Sequence, residues 1–325
     1  MRNNGLYKFC VVLLFIMAFH SLTFGQTTSM NYIKTTELMT KITNPSGING
    51  PPDISNLKRT TITYFDGLGR PVQEIVVAKS PSGNDIIQHI EYDAFGRTPI
   101  QYLPFTASSQ GGGYHSSSLT KLQQFYSGSV QGVPDTDVFY AEIDYEPSPL
   151  NRVMRTASPG EAWALDNGHP MTYDYGANAA NEVMRFSVVG DQVSRSAYHS
   201  PSTLYKNSTT DEDGQMSITY TDLEGRVVMK RSVLGSGSFA DTYYVYNDFG
   251  LLACVMMPEA SIPTGIFTDW KNAFQYKYDG RKRLIRKQIP GADSICYVYN
   301  KADLLVAEQD GNLRQHVYFN RKVYQ

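Results

Sequence analysis

Residues 92–97 read Tyr92-Asp93-Ala94-Phe95-Gly96-Arg97, and variants of this hexapeptide recur along the 325-residue chain. Each variant begins with an aromatic residue or Thr and continues with Asp or Asn, and most carry Gly, Arg or both at the last two positions. An Asp or Asn side chain caps nearby backbone N–H groups in a turn, and Gly adopts the positive φ that such a turn needs. The hexapeptide therefore predicts a tight turn that the chain uses repeatedly.

Six copies of this motif lie at start-to-start spacings of 27, 129, 25, 32 and 21 residues. The copies are Phe65–Arg70, Tyr92–Arg97, Thr221–Arg226, Tyr246–Leu251, Tyr278–Arg283 and Tyr299–Leu304. We expect the motif residues to be structural and not catalytic. The positions to which we assign this role are Asp66, Gly69, Arg70, Tyr92, Asp93, Gly96, Arg97, Asp222, Gly225, Arg226, Tyr246, Gly250, Tyr278, Asp279, Arg283 and Tyr299.

The residues that flank the motifs alternate between apolar and polar, as in 294–299, which is typical of β-strands with one buried face. Asp310-Gly311 lies between two further alternating stretches, 305–309 and 312–318, and predicts a two-residue hairpin. One hairpin cannot bury an apolar face alone, whereas stacked hairpins can. We therefore expect an all-β fold of stacked hairpins that form a continuous curved or spiralling sheet.

The composition agrees with that fold class and argues against several others. The chain has 23 Tyr, 26 Gly and 16 Pro residues, and only 18% of its residues are charged. Helical arrays are instead rich in Ala, Glu, Lys and Leu, and disordered chains are highly charged and poor in aromatic residues. The net charge of −2 provides no basic excess to neutralise phosphates, which argues against nucleic-acid binding.

The N-terminus predicts export. Arg2 and Lys8 precede the apolar run 9–19, which is too short to span a bilayer. Thr23 and Gly25 then place small residues where a signal peptidase requires them. We expect a signal peptide over residues 1–25, a secreted or cell-surface location, and no membrane span after cleavage.

No motif predicts catalysis, a cofactor or a metal site. Asp211–Gly214 resembles part of a calcium loop, but Thr209 and Tyr220 stand where ligands would be required, which favours a plain turn. The motif carboxylates recur at one turn position, four residues before an Arg, which favours turn capping over the paired acids of a glycosidase. We therefore expect a protein that is not an enzyme.

Three shorter segments carry expectations of their own. Residues 119–126 predict a short helix, and 235–238 (Gly-Ser-Gly-Ser) predict a hairpin loop. Cys254 and Cys296 remain after signal cleavage, and the sequence leaves open whether they pair or act as separate apolar residues. The second alternative is favoured because unpaired Cys is commonly buried as a small apolar residue.

The motifs resemble those of the YD-repeat, or RHS-repeat, family, whose signature is Tyr-Asp followed by Gly and Arg. The N-terminal motifs look like the start of large secreted RHS proteins of Bacteroidetes, in which this region carries an uncharacterised domain known as DUF6443. The stretches on which the resemblance rests are Tyr64–Gln73, Tyr92–Arg97, Ser148–Val153, Ser158–Trp163, Tyr175–Asn178 and Asn181–Val183.

The resemblance implies a β-hairpin sheet that spirals into a hollow shell, which in related toxins encloses a C-terminal effector. We accordingly expect an N-terminal extension over 26–58, a DUF6443-like β region over 59–160, and a repeat region over 161–325 that is truncated at its C-terminus. The expected partners are further RHS repeats or an effector encoded downstream. The alternative is an adhesin that binds a glycan or another cell-surface ligand through its aromatic hairpins.

Overall fold

The computed structural model describes residues 27, 29–39, 58–108, 111–167, 169–235, 237–262 and 265–315. The predicted signal peptide lies outside the described residues. Within them the fold is nearly all β, with large antiparallel sheets and two short α-helices, which confirms the predicted fold class. The chain divides into two compact units, residues 1–170 and 171–325.

The first unit contains eight strands and the helix α1. Their bounds are β1 (Asn31–Leu38), β2 (Lys58–Phe65), β3 (Pro71–Val76), β4 (Asp85–His89), β5 (Ile100–Tyr102), β6 (Phe105–Ala107), α1 (Ser118–Phe125), β7 (Tyr140–Tyr145) and β8 (Val153–Ala157). One sheet has the order β1-β2-β3-β4-β6, and β5, β7 and β8 pair in that order. The helix confirms the prediction made for residues 119–126.

The core of the first unit lies between this five-stranded sheet and α1. Alternation along the strands directs Ile62, Ile75 and Ile87 to one face, where each is fully buried. Leu122 of α1 and Phe105 of β6 are buried in the same cluster. Burial of these side chains, at about 1.5–3 kcal/mol each, attaches the helix to the sheet.

Buried polar side chains fasten the loop before α1 to the same sheet. Tyr64 Oη donates to the carbonyl oxygen of Gly112 at 2.7 Å. The side-chain amide of Gln73 donates to the His115 carbonyl at 3.1 Å and accepts from the His115 N–H at 2.9 Å. An Asp85 oxygen accepts from the Gly112 N–H at 3.3 Å. Because these groups are buried, loss of any one would leave its partner unsatisfied.

The second unit is a meander of hairpins with one inserted three-stranded sheet. Its elements are β9 (Met171–Ala177), β10 (Met184–Val189), β11 (Gln192–Tyr198), β12 (Tyr205–Thr210), β13 (Met216–Thr221), β14 (Val227–Gly235), β15 (Ser238–Tyr246), β16 (Leu252–Met256), β17 (Gly265–Ile266), β18 (Ala273–Tyr278), β19 (Leu284–Gln288), β20 (Ile295–Tyr299), β21 (Leu305–Gln309) and α2 (Gly311–Gln315). The main sheet has the order β9-β12-β13-β14-β15-β16-β18-β19-β20-β21, and the inserted sheet has the order β10-β11-β17. Buried Val193 and Phe267 pack with Tyr220, Met229 and Met256 of the main sheet.

Two local predictions in this unit have different outcomes. Residues 235–238 do join β14 to β15, and Gly235 pairs with Ser238. The prediction of a hairpin at Asp310-Gly311 is wrong, because a helix begins at Gly311. Asp310 Oδ1 accepts from the Leu313 N–H at 2.8 Å, which is the bond of a helix N-cap.

Cys254 and Cys296 do not form a disulfide. Cys254 is fully buried on β16, and burial raises the pKa of its thiol to about 12. Cys296 is on β20, three strand spacings away, or roughly 14 Å, whereas a disulfide requires Cα atoms within about 7 Å. Of the two alternatives left open by the sequence, the structure therefore supports two separate cysteine residues.

Gly112 offers a test of how tightly the loop packs on the first sheet. Its φ is +86°, and an added Cβ would collide with Ile62 Cδ1 and lie 2.9 Å from Val77 Cγ2. We expect Gly112→Ala to lower the free energy of unfolding by about 3–5 kcal/mol, from backbone strain and overpacking together. Urea denaturation measures this.

The matched control is Gly83→Ala. Gly83 has a similar φ of +74°, but an added Cβ meets nothing within 4 Å. Gly83→Ala should lower the free energy of unfolding only by the cost of backbone strain, about 1–2 kcal/mol. Equal losses in the two variants would show that the loop does not pack closely on Ile62.

Candidate functional site: the repeated turn

The motif forms a four-residue turn with a bulge, as Asp222 shows. The Asp222 N–H donates to the Arg226 carbonyl at 2.9 Å, and the Gly225 N–H donates to the Asp222 carbonyl at 3.0 Å. Asp222 Oδ1 accepts from the Glu224 N–H at 3.1 Å and from the Arg226 N–H at 2.8 Å. The strand register shifts beside the turn. This is a type I turn closed by a residue with positive φ, a common hairpin connection.

The same two backbone bonds and two side-chain bonds occur in every one of the six motifs. The capping residues are Asp66, Asp93, Asp222, Asn247, Asp279 and Asn300. The bonds need only an oxygen acceptor on a short side chain, which both Asp and Asn provide. Exchange of Asp for Asn between copies therefore keeps the turn.

The fourth turn position has positive φ in all six copies. Gly fills it in four copies, with φ between +73° and +81°, at Gly69, Gly96, Gly225 and Gly250. Lys282 (φ +64°) and Asp303 (φ +63°) fill it in the other two. Asp303 is a residue type that enters this region more readily than most, and its carboxylate pairs with Arg283 Nη1 at 2.6 Å.

Further turns of this kind were missed in the sequence. Asp211 accepts from the N–H groups of Asp213 and Gln215 at 3.1 and 2.7 Å, and Gly214 supplies the positive φ. The calcium-like segment is thus the same turn. Thr210 holds its first position, as Thr221 does in the third copy, and Gln215 stands in the place of Arg. Ser80 caps another copy through its hydroxyl, which accepts from the Asn84 N–H at 2.8 Å.

A longer variant of the turn lies in the 129-residue gap between the second and third motifs. The Glu146 N–H donates to the Arg152 carbonyl at 2.9 Å, and Arg152 Nε donates to Glu146 Oε2 at 2.8 Å. Glu146 stands where other copies have Asp, two residues are added, and Tyr145 precedes it. Residues 145–152 therefore form a diverged member of the series.

Each motif arginine binds the carboxylate of its own turn. The Nε–Oδ2 distances are 2.8 Å for Arg70 to Asp66, 2.7 Å for Arg97 to Asp93, 2.7 Å for Arg226 to Asp222 and 2.7 Å for Arg283 to Asp279. The side-chain hydrogen bond from Arg283, followed by the backbone N–H groups, lowers the pKa of Asp279 below its ordinary value. The carboxylate is therefore held in its ionised form.

The same arginines lie over the tyrosine ring that precedes the next turn. Their Cζ atoms are 4.4 Å (Arg70 to Tyr92), 4.6 Å (Arg97 to Tyr145), 5.1 Å (Arg226 to Tyr246) and 4.9 Å (Arg283 to Tyr299) from the ring centroids. A guanidinium over an aromatic face within about 6 Å is attracted by the ring quadrupole. We call this two-sided contact of an arginine the Arg–Tyr bridge.

The tyrosine hydroxyls complete the link between consecutive motifs. The hydroxyl donates to the carbonyl oxygen of the residue just after the preceding turn. The pairs are Tyr92 to Pro71 at 2.9 Å, Tyr246 to Val227 at 3.0 Å, Tyr278 to Leu252 at 3.0 Å and Tyr299 to Leu284 at 2.9 Å. The hydroxyl of each of these tyrosines is therefore hydrogen-bonded to the backbone beside the preceding turn. In three of the four, an arginine of that turn also lies over the ring.

The structure thus places all sixteen motif positions in or beside these turns. Within the described part of the chain, no group of His, Cys, Asp and Glu side chains could hold a metal ion. The helices of that part are also too short or too polar to cross a membrane. What the turns offer is a regular structural contact between successive hairpins, and this defines a β-hairpin repeat protein.

Comparison with known protein families gives one match, and it covers part of the chain. Residues 35–177 match the family described as Domain of unknown function (DUF6443). No curated protein matches the chain.

Several solved structures are similar to this chain at low identity. A crystal structure of TcdB2-TccC3 has a TM-score of 0.47 and 12% identity, and the match covers 78% of this chain and 12% of that one. The crystal structure of TcdB2-TccC3-Cdc42 has a TM-score of 0.45 and 12% identity, covering 86% and 13%. For a Photorhabdus luminescens Tc holotoxin pore the TM-score is 0.25, the identity 11% and the coverage 78% and 15%. This chain thus spans only a small part of the length of those chains.

The capping role of the motif carboxylate can be separated from its charge at Asp279. Asp279→Asn keeps the Oδ1 acceptor, as Asn247 and Asn300 do in their own turns, whereas Asp279→Leu removes it. We expect Asp279→Leu to lower the melting temperature more than Asp279→Asn. Thermal unfolding followed by circular dichroism measures both.

The two variants should also differ in acid. Because the folded pKa of Asp279 is lowered from 3.8, its contribution to stability is present above that pH and is lost as pH falls below it. Asp279→Asn should therefore show a smaller loss of stability than wild type over that acid range. An identical acid dependence would contradict an ion pair with Arg283.

Arg226 tests the Arg–Tyr bridge itself. Lys keeps the positive charge but lacks the planar guanidinium group. In Arg226 that group binds the Asp222 carboxylate and lies over the Tyr246 ring at the same time. We expect Arg226→Lys to lower the free energy of unfolding by about 1–2 kcal/mol. The control is Arg281→Lys, because Arg281 is more exposed and makes a surface ion pair with Asp303 at 3.0 Å, worth about 0–0.5 kcal/mol. Equal losses in urea denaturation would show that the bridge adds nothing to an ordinary surface ion pair.

Proposed function

We propose that this chain is a secreted, non-enzymatic structural protein of the RHS/YD-repeat type, and that its hairpins form the N-terminal wall of a shell. The observation that carries the proposal is the Arg–Tyr bridge. Each bridge joins one turn to the next motif by the same contacts, so a sheet can be lengthened by adding hairpins without a new kind of interface. In the proteins that these motifs resemble, such a wall encloses a C-terminal effector.

The chemistry of the motif supports a structural role for the repeats. The Asp66, Asp93, Asp222 and Asp279 carboxylates each accept hydrogen bonds from their own turn and from their own arginine. A glycosidase needs two carboxylates that face each other across a substrate. Carboxylates that are each saturated within one turn are unsuited to that reaction.

The partners that fit this proposal are further repeats or an effector encoded downstream. Electron microscopy of the complete gene product, with any repeats that follow codon 325 in frame, tests it. We expect a particle with an internal cavity whose wall contains the hairpins described above. A particle without a cavity would contradict the shell.

Export can be tested separately. Mass spectrometry of protein recovered from the culture medium should give Gln26 as its first residue. The control is Leu14→Arg, which interrupts the apolar run and should retain the protein in the cell. Recovery of wild-type protein only from the cell, with Met1 intact, would contradict secretion.

The alternative, a glycan-binding adhesin, would need exposed aromatic rings. The motif tyrosines do not provide them, because Tyr92, Tyr246 and Tyr299 are covered by arginines and donate their hydroxyls to backbone carbonyls. Such binding would have to use turn residues such as Phe95 and Phe249, which are 79% and 71% exposed. A glycan array without signal would remove this alternative.

A further inference from the structure

Residues 111–126 form a cover on the five-stranded sheet of the first unit. The cover consists of the loop 111–117 and α1, with Leu122 fully buried and Tyr126 Oη donating to the Pro104 carbonyl at 2.9 Å. Beneath it lie the buried side chains of Ile62, Ile75 and Ile87. The cover and the sheet therefore form one core whose integrity depends on how the loop is fastened.

We propose that the cover 111–126 is an acid-sensitive latch, which protonation of His115 releases from the sheet. His115 lies at the end of the loop, is 2% exposed, and has its Nδ1 atom 2.9 Å from Lys121 Nζ. An ammonium group can only donate hydrogen bonds. Nδ1 must therefore present its lone pair, and the closed latch contains a neutral His115 with its proton on Nε2.

Protonation of His115 would disrupt this contact in two ways. It would remove the acceptor that Lys121 uses and place a second positive charge 2.9 Å from the first. Within the described residues, His115 Nε2 is also buried without a hydrogen-bond partner. The charge of an imidazolium would thus be buried without a protein acceptor at Nε2, which strongly disfavours it.

The other charged groups around the latch are on β4 and in the segment after it. Asp85, fully buried on β4, favours protonation of His115, but its oxygens also accept from the N–H groups of Ala78 at 2.8 Å and Gly112 at 3.3 Å. His89 of β4 meets Ser118 Oγ at 2.8 Å and Glu91 at 3.1 Å. Burial first, and then Lys121, lower the pKa of His115, while Asp85 acts in the opposite direction.

The sign of the pH effect follows from this arrangement. In the open state His115 is in water and has its ordinary pKa near 6.5, so protons bind the open state more tightly than the closed state. The ratio of open to closed latch should rise by about tenfold for each pH unit below 6.5, until the pH reaches the lowered pKa of the closed state. Opening would uncover the apolar face of the first sheet.

Hydrogen exchange of the full chain, read by mass spectrometry at about pH 7.5 and about pH 5, tests the latch. Rates are divided by the intrinsic rates at each pH, and peptides of β2 and β3 serve as an internal reference for unfolding of the first unit. We expect protection of 111–126 to fall by about tenfold or more in acid while the reference is unchanged. Binding of the dye ANS should rise in parallel as the apolar face is uncovered.

His115→Asn is the critical variant, because Asn keeps an oxygen acceptor for Lys121 and cannot gain a proton in this range. In this variant, residues 111–126 should stay protected from hydrogen exchange at both pH values. Lys121→Met, which removes the opposing charge, should show a smaller acid effect than wild type and serves if His115→Asn does not fold. His169→Gln is a control in the same unit, at a histidine whose ring centroid lies 5.4 Å from that of Trp163, and it should behave as wild type. Protection of wild-type 111–126 that does not change with pH, or the same acid loss in His115→Asn, would overturn the proposal.

Discussion

The regularity of the hairpins depends on a guanidinium that is held on two sides. Arg226 donates to Asp222 of its own turn and lies over Tyr246 of the next motif. Arg is suited to this position because its planar fork binds a carboxylate edge-on while its face stays free for an aromatic ring. The tyrosine hydroxyl then reaches the backbone just beyond the same turn. Two successive motifs are thus joined through three contacts that need no other side chains.

This arrangement accounts for the tyrosines of the motifs, which are a part of the 23 in the chain. Phe would supply the ring but not the hydroxyl that reaches the preceding carbonyl, and a shorter residue would supply neither. The copies that lack part of the motif remain turns but lose part of the link. Leu251 stands in the arginine position of the fourth copy, and there Tyr278 keeps its hydroxyl bond to Leu252. The turn and the link between turns are therefore separable properties.

The first unit differs in where its buried polar groups lie. In the repeats the polar groups of the motif are paired within or between turns. In the first unit Tyr64, Gln73 and Asp85 instead point from the sheet into the loop before α1. Buried groups of this kind specify one position for the loop, and they make it sensitive to any change in charge nearby. The family match over residues 35–177 includes this cover.

The sequence by itself determined the strands and the turns, because both depend on local chemistry. Alternation of apolar residues indicates a strand, and an Asp or Asn followed by a residue that tolerates positive φ indicates the turn. Even so, local patterns were ambiguous where one residue type serves two structures. Asp310 caps a helix by accepting from the Leu313 N–H, although Asp-Gly also favours a hairpin. Asp211 belongs to a segment that resembles part of a calcium loop, yet it closes a full motif turn.

Only the tertiary structure decided which groups meet across the sheet. The partner of Arg97 is Tyr145, far along the chain and outside the six recognised motifs. Cys254 and Cys296 are kept apart by two intervening strands. The order of strands in the sheet decides this, and the number of residues between the two cysteines does not predict it. The two hydrogen bonds between Gln73 and His115 depend on how the loop before α1 packs against the sheet. Such contacts are set by the packing of distant segments, whereas turns and strands are set by neighbouring residues, and that difference is the physical reason for the division.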